Sequence, residues 1–260
     1  MTARFFRIVG ILGLIVGCLN WSCRSKGLQN TSLPESSLTV AAASDLRDVF
    51  QELGRQFTHG GQGQVIFSFG STETLARQIE QGAPFDVFVA ASQSHVDMLE
   101  KQGLVLPGTA RVLCTGKIVL WQSEGSPVTV NCLEDLSLVG VKRIAIANPE
   151  HAPYGLAARQ ALERAGIWES VRSKLVFAEN ISQCRQFAET GNVEVAILAL
   201  SLSRRPGGRF VLLNSRLHEP IRQTLCILRR TAHQRLSRQW VDFLLSPPGK
   251  AVLERYGFSV

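Results

Sequence analysis

The apolar run nearest the start of this 260-residue chain, Ile8–Val16, is too short to cross a bilayer as a stable helix. Cys114, Cys132, Cys184 and Cys226 show no metal-ligand spacing, and His151 has no partner at useful distance in the sequence, so a metal centre is not expected. Basic residues are not gathered into one stretch. Arg204–Arg205 and Arg229–Arg230 are the local pairs and no aromatics interleave them, which argues against nucleic-acid binding. No histidine or lysine motif accompanies Ser44, so the base that a nucleophilic serine requires is missing. Cofactor chemistry is not expected either.

What is present is a well-stocked core and a leader. Hydrophobic residues make up 45% of the chain, enough for one large domain or two lobes. The start, with Arg4 and Arg7 ahead of the apolar stretch, reads as a signal peptide over residues 1–17. "IVGC" resembles the lipobox of bacterial lipoproteins, which would make Cys18 the lipidated residue and anchor an exported protein to the membrane; the alternative is an ordinary signal peptide cut nearby, with Cys18 incidental. Residues 18–37 are polar and unpatterned, as a tether would be. The net charge of +7 falls by two when Arg4 and Arg7 leave with the leader. In an exported protein the four later cysteines are compatible with pairing or with burial as small hydrophobes, and the sequence leaves this open.

The informative stretch is "AAASDLRDVFQELGRQF", residues 41–57. A buried strand ends at Ser44, and Leu46, Val49, Phe50, Leu53 and Phe57 then recur at helical spacing. A serine at a helix start serves either as a cap or, with the first-turn N–H groups and the positive end of the dipole, as a seat for an anion. The pattern repeats in "VIFSFGSTETLARQIEQG": a strand over 65–69, Gly70, the hydroxyls Ser71, Thr72 and Thr74, then a helix carrying Leu75 and Ile79. Asp45 and Glu73 follow the two hydroxyl residues and suit an outward, helix-stabilising place in the first turn. An inward Asp45 would instead favour phosphate, whose remaining proton needs an acceptor.

Alternating strand and helix signals continue through "GAPFDVFVAAS", where Asp86 is expected to hold a turn or the hinge. A β-rich run over 110–122 then leads to a second alternating set. That set includes "CLEDL" as a helix, the strand "RIAIANP", a helix from about Tyr154 to Ala165, and a helix from about Ile181 to Glu189. Trp240, Phe243, Leu244, Val252, Leu253 and Tyr256 read as packing residues of two closing helices. The chain is therefore expected to be α/β, with two lobes joined by β-rich connections and a cleft at the strand ends.

The segments "AAASDL", "SFGSTETLARQIEQGAPFDVFVAA", "ANPEHAPYG" and "ERYGF" resemble, in order and spacing, those of periplasmic molybdate-binding proteins, the substrate receptors of molybdate ABC transporters. The resemblance runs from about Leu38 to the C-terminus. It implies a type II periplasmic-binding-protein fold in which each lobe is a mixed sheet flanked by helices, with lobe I at 38–118 and 225–260 and lobe II at 119–224. It implies a monomeric receptor, not an enzyme, that captures molybdate and tungstate for a membrane permease. Carried over by position, Ser44, Thr72, Tyr154 and Ile181 surround the oxyanion, the last two through their main chain. Where some members have a tyrosine that contacts the anion, this chain has Ala199; either the site uses one contact fewer, or the Tyr154 hydroxyl or Ser201 compensates. Sulfate or phosphate remains the alternative ligand class, and an enzyme on a similar two-lobed fold the more distant one.

Overall fold

The computed structural model describes residues 37–260. Cys18, the leader and nearly all of the tether therefore lie outside the described residues.

β1 (Ser37–Ala43) runs into a short 3-10 turn, Ser44–Leu46, and then α1 (Arg47–His59). β2 (Gln64–Gly70), α2 (Thr72–Glu80), β3 (Val87–Ala90), α3 (Gln93–Lys101) and β4 (Arg111–Gly116) follow. The chain then enters a second unit: β5 (Ile118–Ser123), β6 (Ile144–Ala147), α4 (Pro153–Arg164), α5 (Trp168–Val171), β7 (Leu175–Ala178), α6 (Ile181–Glu189), β8 (Val195–Ala199), α7 (Leu200–Ser203) and β9 (Gly208–Leu212). β10 (Ile221–Ile227), α8 (Gln234–Leu245) and α9 (Pro247–Arg255) then return to the first unit.

Two five-stranded sheets result, in the orders β2-β1-β3-β10-β4 and β7-β6-β8-β5-β9. Each is mixed. β1 pairs parallel with β2 and β3 while β10 runs antiparallel to β3 and β4; β6 pairs parallel with β7 and β8 while β5 runs antiparallel to β8 and β9. The β-rich run over 110–122 is thus two strands in different sheets, with Lys117 between them. β10 belongs to the first sheet along its whole length, so the return crossing lies before Ile221, ahead of the break at 224/225 expected from sequence. "CLEDL" forms only a 3-10 turn, Glu134–Ser137.

Side-chain alternation on β1 divides the first lobe's core. Leu38, Val40 and Ala42 pack with α1, α8 and α9, whereas Ala41 faces the layer of Leu75, Ile79, Val96 and Leu99 from α2 and α3. The helical spacing read at Leu46, Val49, Phe50, Leu53 and Phe57 corresponds to side chains that are all buried. The second lobe has one continuous core in which Trp121, Ile146, Ala158 and Ile197 are fully buried. Asp86 ties the first lobe together, accepting from Thr39 N–H at 2.8 Å and from the Thr231 hydroxyl at 2.5 Å. Cys114, Cys132, Cys184 and Cys226 are free thiols. Among the described residues no helix is long and apolar enough to cross a membrane, and no cluster of His, Cys, Asp or Glu could hold a metal ion.

Candidate functional site

Four helix starts converge between the lobes. Ser44 opens the 3-10 turn before α1, Thr72 is the first residue of α2, Tyr154 the second of α4 and Ile181 the first of α6. All four line one small cavity, together with Ala43, Asp45, Gly70, Ser71, Ala91, Ala152 and Pro153. The cavity is small, about 10 Å³, the space of roughly one water molecule. Neither lysine, arginine nor histidine lines it.

Local sequence explains why these positions hold free donors. Ser71 caps α2 by accepting from Thr74 N–H, and Asn180 caps α6 by accepting from Gln183 N–H. Glu73 N–H is taken by His151 O across the cleft at 3.4 Å. The N–H groups of Thr72, Tyr154 and Ile181 make no hydrogen bond among the described residues, as expected for first-turn donors. Ser44 is not a cap, since Ala43 precedes the turn and no side-chain capping bond is made. The Thr72 hydroxyl oxygen already accepts from Ala91 N–H at 3.1 Å, which leaves its proton free to donate. Hydroxyls and N–H groups at positive dipole ends form a set suited to an anion whose oxygens only accept.

Gly155 lets α4 approach the sheet. A Cβ there would meet Ala147 O at 2.1 Å, and one on Gly116 would meet the Tyr154 hydroxyl at 2.0 Å. Gly155→Ala is expected to lower stability by about 1–3 kcal/mol, the range for forcing atoms into a packed core. Urea denaturation followed by circular dichroism would measure this; an unchanged midpoint would contradict the close contact.

Asp45 corrects the sequence reading. It is not outward: only 1% of it is exposed, and its Oδ2 accepts from the Tyr154 hydroxyl at 2.8 Å and from Gln223 Nε2 at 2.6 Å. The outward expectation fails because the second lobe covers the first turn of this helix. Burial pushes the Asp45 carboxyl up to about 7, against the opposing pull of its hydrogen bonds. The folded form therefore keeps a proton that the unfolded chain loses near pH 3.8. The associated stability is fully present below that pH and is lost as pH rises through about 7. Burial and then the neighbouring Asp45 charge hold the Tyr154 phenol well above its ordinary value.

Of the alternatives for Ala199, both compensating hydroxyls are engaged elsewhere. The Tyr154 hydroxyl is committed to Asp45, and Ser201 Oγ donates to Asp45 O at 2.8 Å. Glu73 differs from Asp45 in being partly exposed, bound to His95 at 2.8 Å and Arg77 at 2.9 Å. The cleft is closed by bonds from both lobes: Ser182 Oγ to Ser44 O at 3.0 Å, Ser201 to Asp45, Tyr154 to Asp45, and an Arg205–Asp48 ion pair. Gln223, fully buried in β10, was missed; an amide inside the apolar run "IRQTLCI" is the signal that marks it.

A profile of the bacterial extracellular solute-binding protein family matches residues 38–259. The chain is 34% identical to the molybdate-binding protein ModA of Azotobacter vinelandii, across 90% of this chain and 94% of that one. It is 32% identical to the ModA of Rhodobacter capsulatus, across 84% and 86%. The structure of the Azotobacter vinelandii periplasmic molybdate-binding protein superposes with a TM-score of 0.80 at 28% identity, covering 86% of this chain and 99% of that one.

Proposed function

Because the chain belongs to the bacterial extracellular solute-binding proteins, and within them to the molybdate-binding branch, we propose that it is an extracytoplasmic receptor that captures molybdate between its lobes and delivers it to an ABC permease. The observation that carries this reading is the ring of uncharged donors: Ser44 and Thr72 from one lobe, Tyr154 and Ile181 N–H from the other, around one cavity. A tetrahedral dianion accepts from all sides and needs no cation when every oxygen is satisfied. Donors from both lobes bind it together only in the closed form, so the anion stabilises closure and the permease reads the closed shape. Tungstate, nearly the same size, binds alongside molybdate, and the protein works as a monomer without a cofactor. Cys18 carries the lipid anchor. No reaction is catalysed: Asp45 and Tyr154, the titratable side chains lining the cavity, are bonded to each other, so Ser44 has no free base.

One observation favours a second ligand. Asp45, if ionised, is the acceptor that hydrogen phosphate would require. Calorimetric titration with molybdate, tungstate, sulfate and phosphate separates the two. Molybdate and tungstate are expected to bind tightly, and Ser44→Ala to weaken molybdate by about tenfold, the low end for a hydrogen bond to a charged group. Preference for phosphate would move the ligand while keeping the cleft, and binding of no oxyanion would overturn the receptor reading.

A further inference from the structure

The donor ring leaves Asp45 unexplained, although it lines the same cavity. Both of its hydrogen bonds fall on Oδ2, while Oδ1 is buried without a partner. Among the described residues no cation answers its charge. Tyr154 of α4 and Cys114 of β4 are the titratable side chains that interact with it, and burial keeps both protonated. From α6, packed against the turn that holds Asp45, Arg185 is committed to Glu189 and to the carbonyls of Leu202 and Pro206. On α1, Arg47 lies over Phe69 and Asp48 pairs with Arg205. An ionised Asp45 would thus be an uncompensated buried charge beside a dianion, an arrangement that costs several kcal/mol in proteins generally.

We propose that Asp45 takes up one proton as the lobes close on the oxyanion, so that capture and release are coupled to a proton. This rests on the receptor reading above. The proton comes from solvent and forms an O–H bond at Oδ1, where no donor competes. Oδ2 continues to accept from Tyr154 and Gln223, the anion stays fully ionised, and opening returns the proton to solvent. The Tyr154 bond spans the lobes, so closure itself creates the environment that favours the neutral acid. The upward shift of the carboxyl in the closed form agrees, and a bound dianion acts in the same direction. The consequence is a difference between ligands: hydrogen phosphate brings its own proton and needs none from solvent, whereas a fully ionised oxyanion does.

The test is calorimetric titration of the protein with molybdate at pH 7 in two buffers of different ionisation enthalpy. The parent is expected to take up roughly half to one proton per anion, and its Kd to rise about three- to tenfold per pH unit around pH 7. Asp45→Asn keeps the shape and an acceptor for Tyr154 but cannot titrate, so uptake should vanish and Kd stay flat from pH 6 to 8. Equal enthalpies in both buffers for the parent, or uptake that persists in Asp45→Asn, would overturn the proposal. If the variant fails to fold, the parent's buffer difference and pH slope still decide. Tight binding without proton uptake sinks the coupling alone, whereas no binding at any pH sinks the receptor reading with it.

Discussion

Proline at position 181 is expected to leave α6 folded and to weaken molybdate binding about a hundredfold. Ile181 is the first residue of α6, where proline is well tolerated because its missing N–H has no partner within the helix. Asn180 before it sits at φ −147° and ψ 170°, an extended conformation compatible with a following proline. The change therefore removes one donor and little else of the backbone. A hydrogen bond to a charged group contributes about 1.5–3 kcal/mol, and each 1.4 kcal/mol is tenfold in affinity. Ser44→Ala leaves room for a water to replace the lost hydroxyl, but the proline ring fills the space of the N–H it removes. For that reason Ile181→Pro should lie near the upper end of the range. Calorimetry with a circular-dichroism control reads the effect, and affinity within threefold of the parent would show that this N–H does not hold the anion.

The largest stability effect should come from Trp240→Ala, at about 3–5 kcal/mol. Trp240 is fully buried and packs edge-on against Phe57 and Phe50, at centroid separations of 5.2 and 5.9 Å, with Phe67 and Phe243 also at 5.9 Å. These rings come from α1, β2 and α8, so the indole ties three elements of the first lobe to one face of its sheet. Such a loss is a large share of the 5–15 kcal/mol typical of folded proteins. Trp240→Phe should cost far less, because the indole N–H is buried without a partner and its removal relieves an unsatisfied donor. Urea unfolding followed at 222 nm compares the two. Similar midpoints for alanine and phenylalanine would assign the effect to the lost N–H and not to the ring packing.

Much of this architecture was legible because its signals are local. The periodicity of Leu46 to Phe57 and the hydroxyls ahead of "TLARQIEQG" describe interactions within a few residues, and strand-to-helix turns recur wherever an anion seat was read. The cysteines could not be settled in the same way, since burial of Cys114, Cys184 and Cys226 depends on which strands and helices surround them. Ser44 was read as a cap or a seat, but Ala43 precedes the turn and Ser71 does the capping at the second helix.

The sequence alone determined the order of strands and helices, the placement of four helix starts at strand ends, and the uncharged character of the donors. The elements and helix starts follow from spacing along short stretches, and the donor set, Tyr154 and Ile181 above all, from the family resemblance. Only the tertiary structure decided the state of Asp45, because its partners Tyr154 and Gln223 lie 109 and 178 residues away in the chain. The same residue would be a solvated helix-start carboxylate on an isolated lobe. The second lobe removes its water and supplies a phenol instead of a cation, and that long-range exchange of solvent for protein is not written in any local pattern.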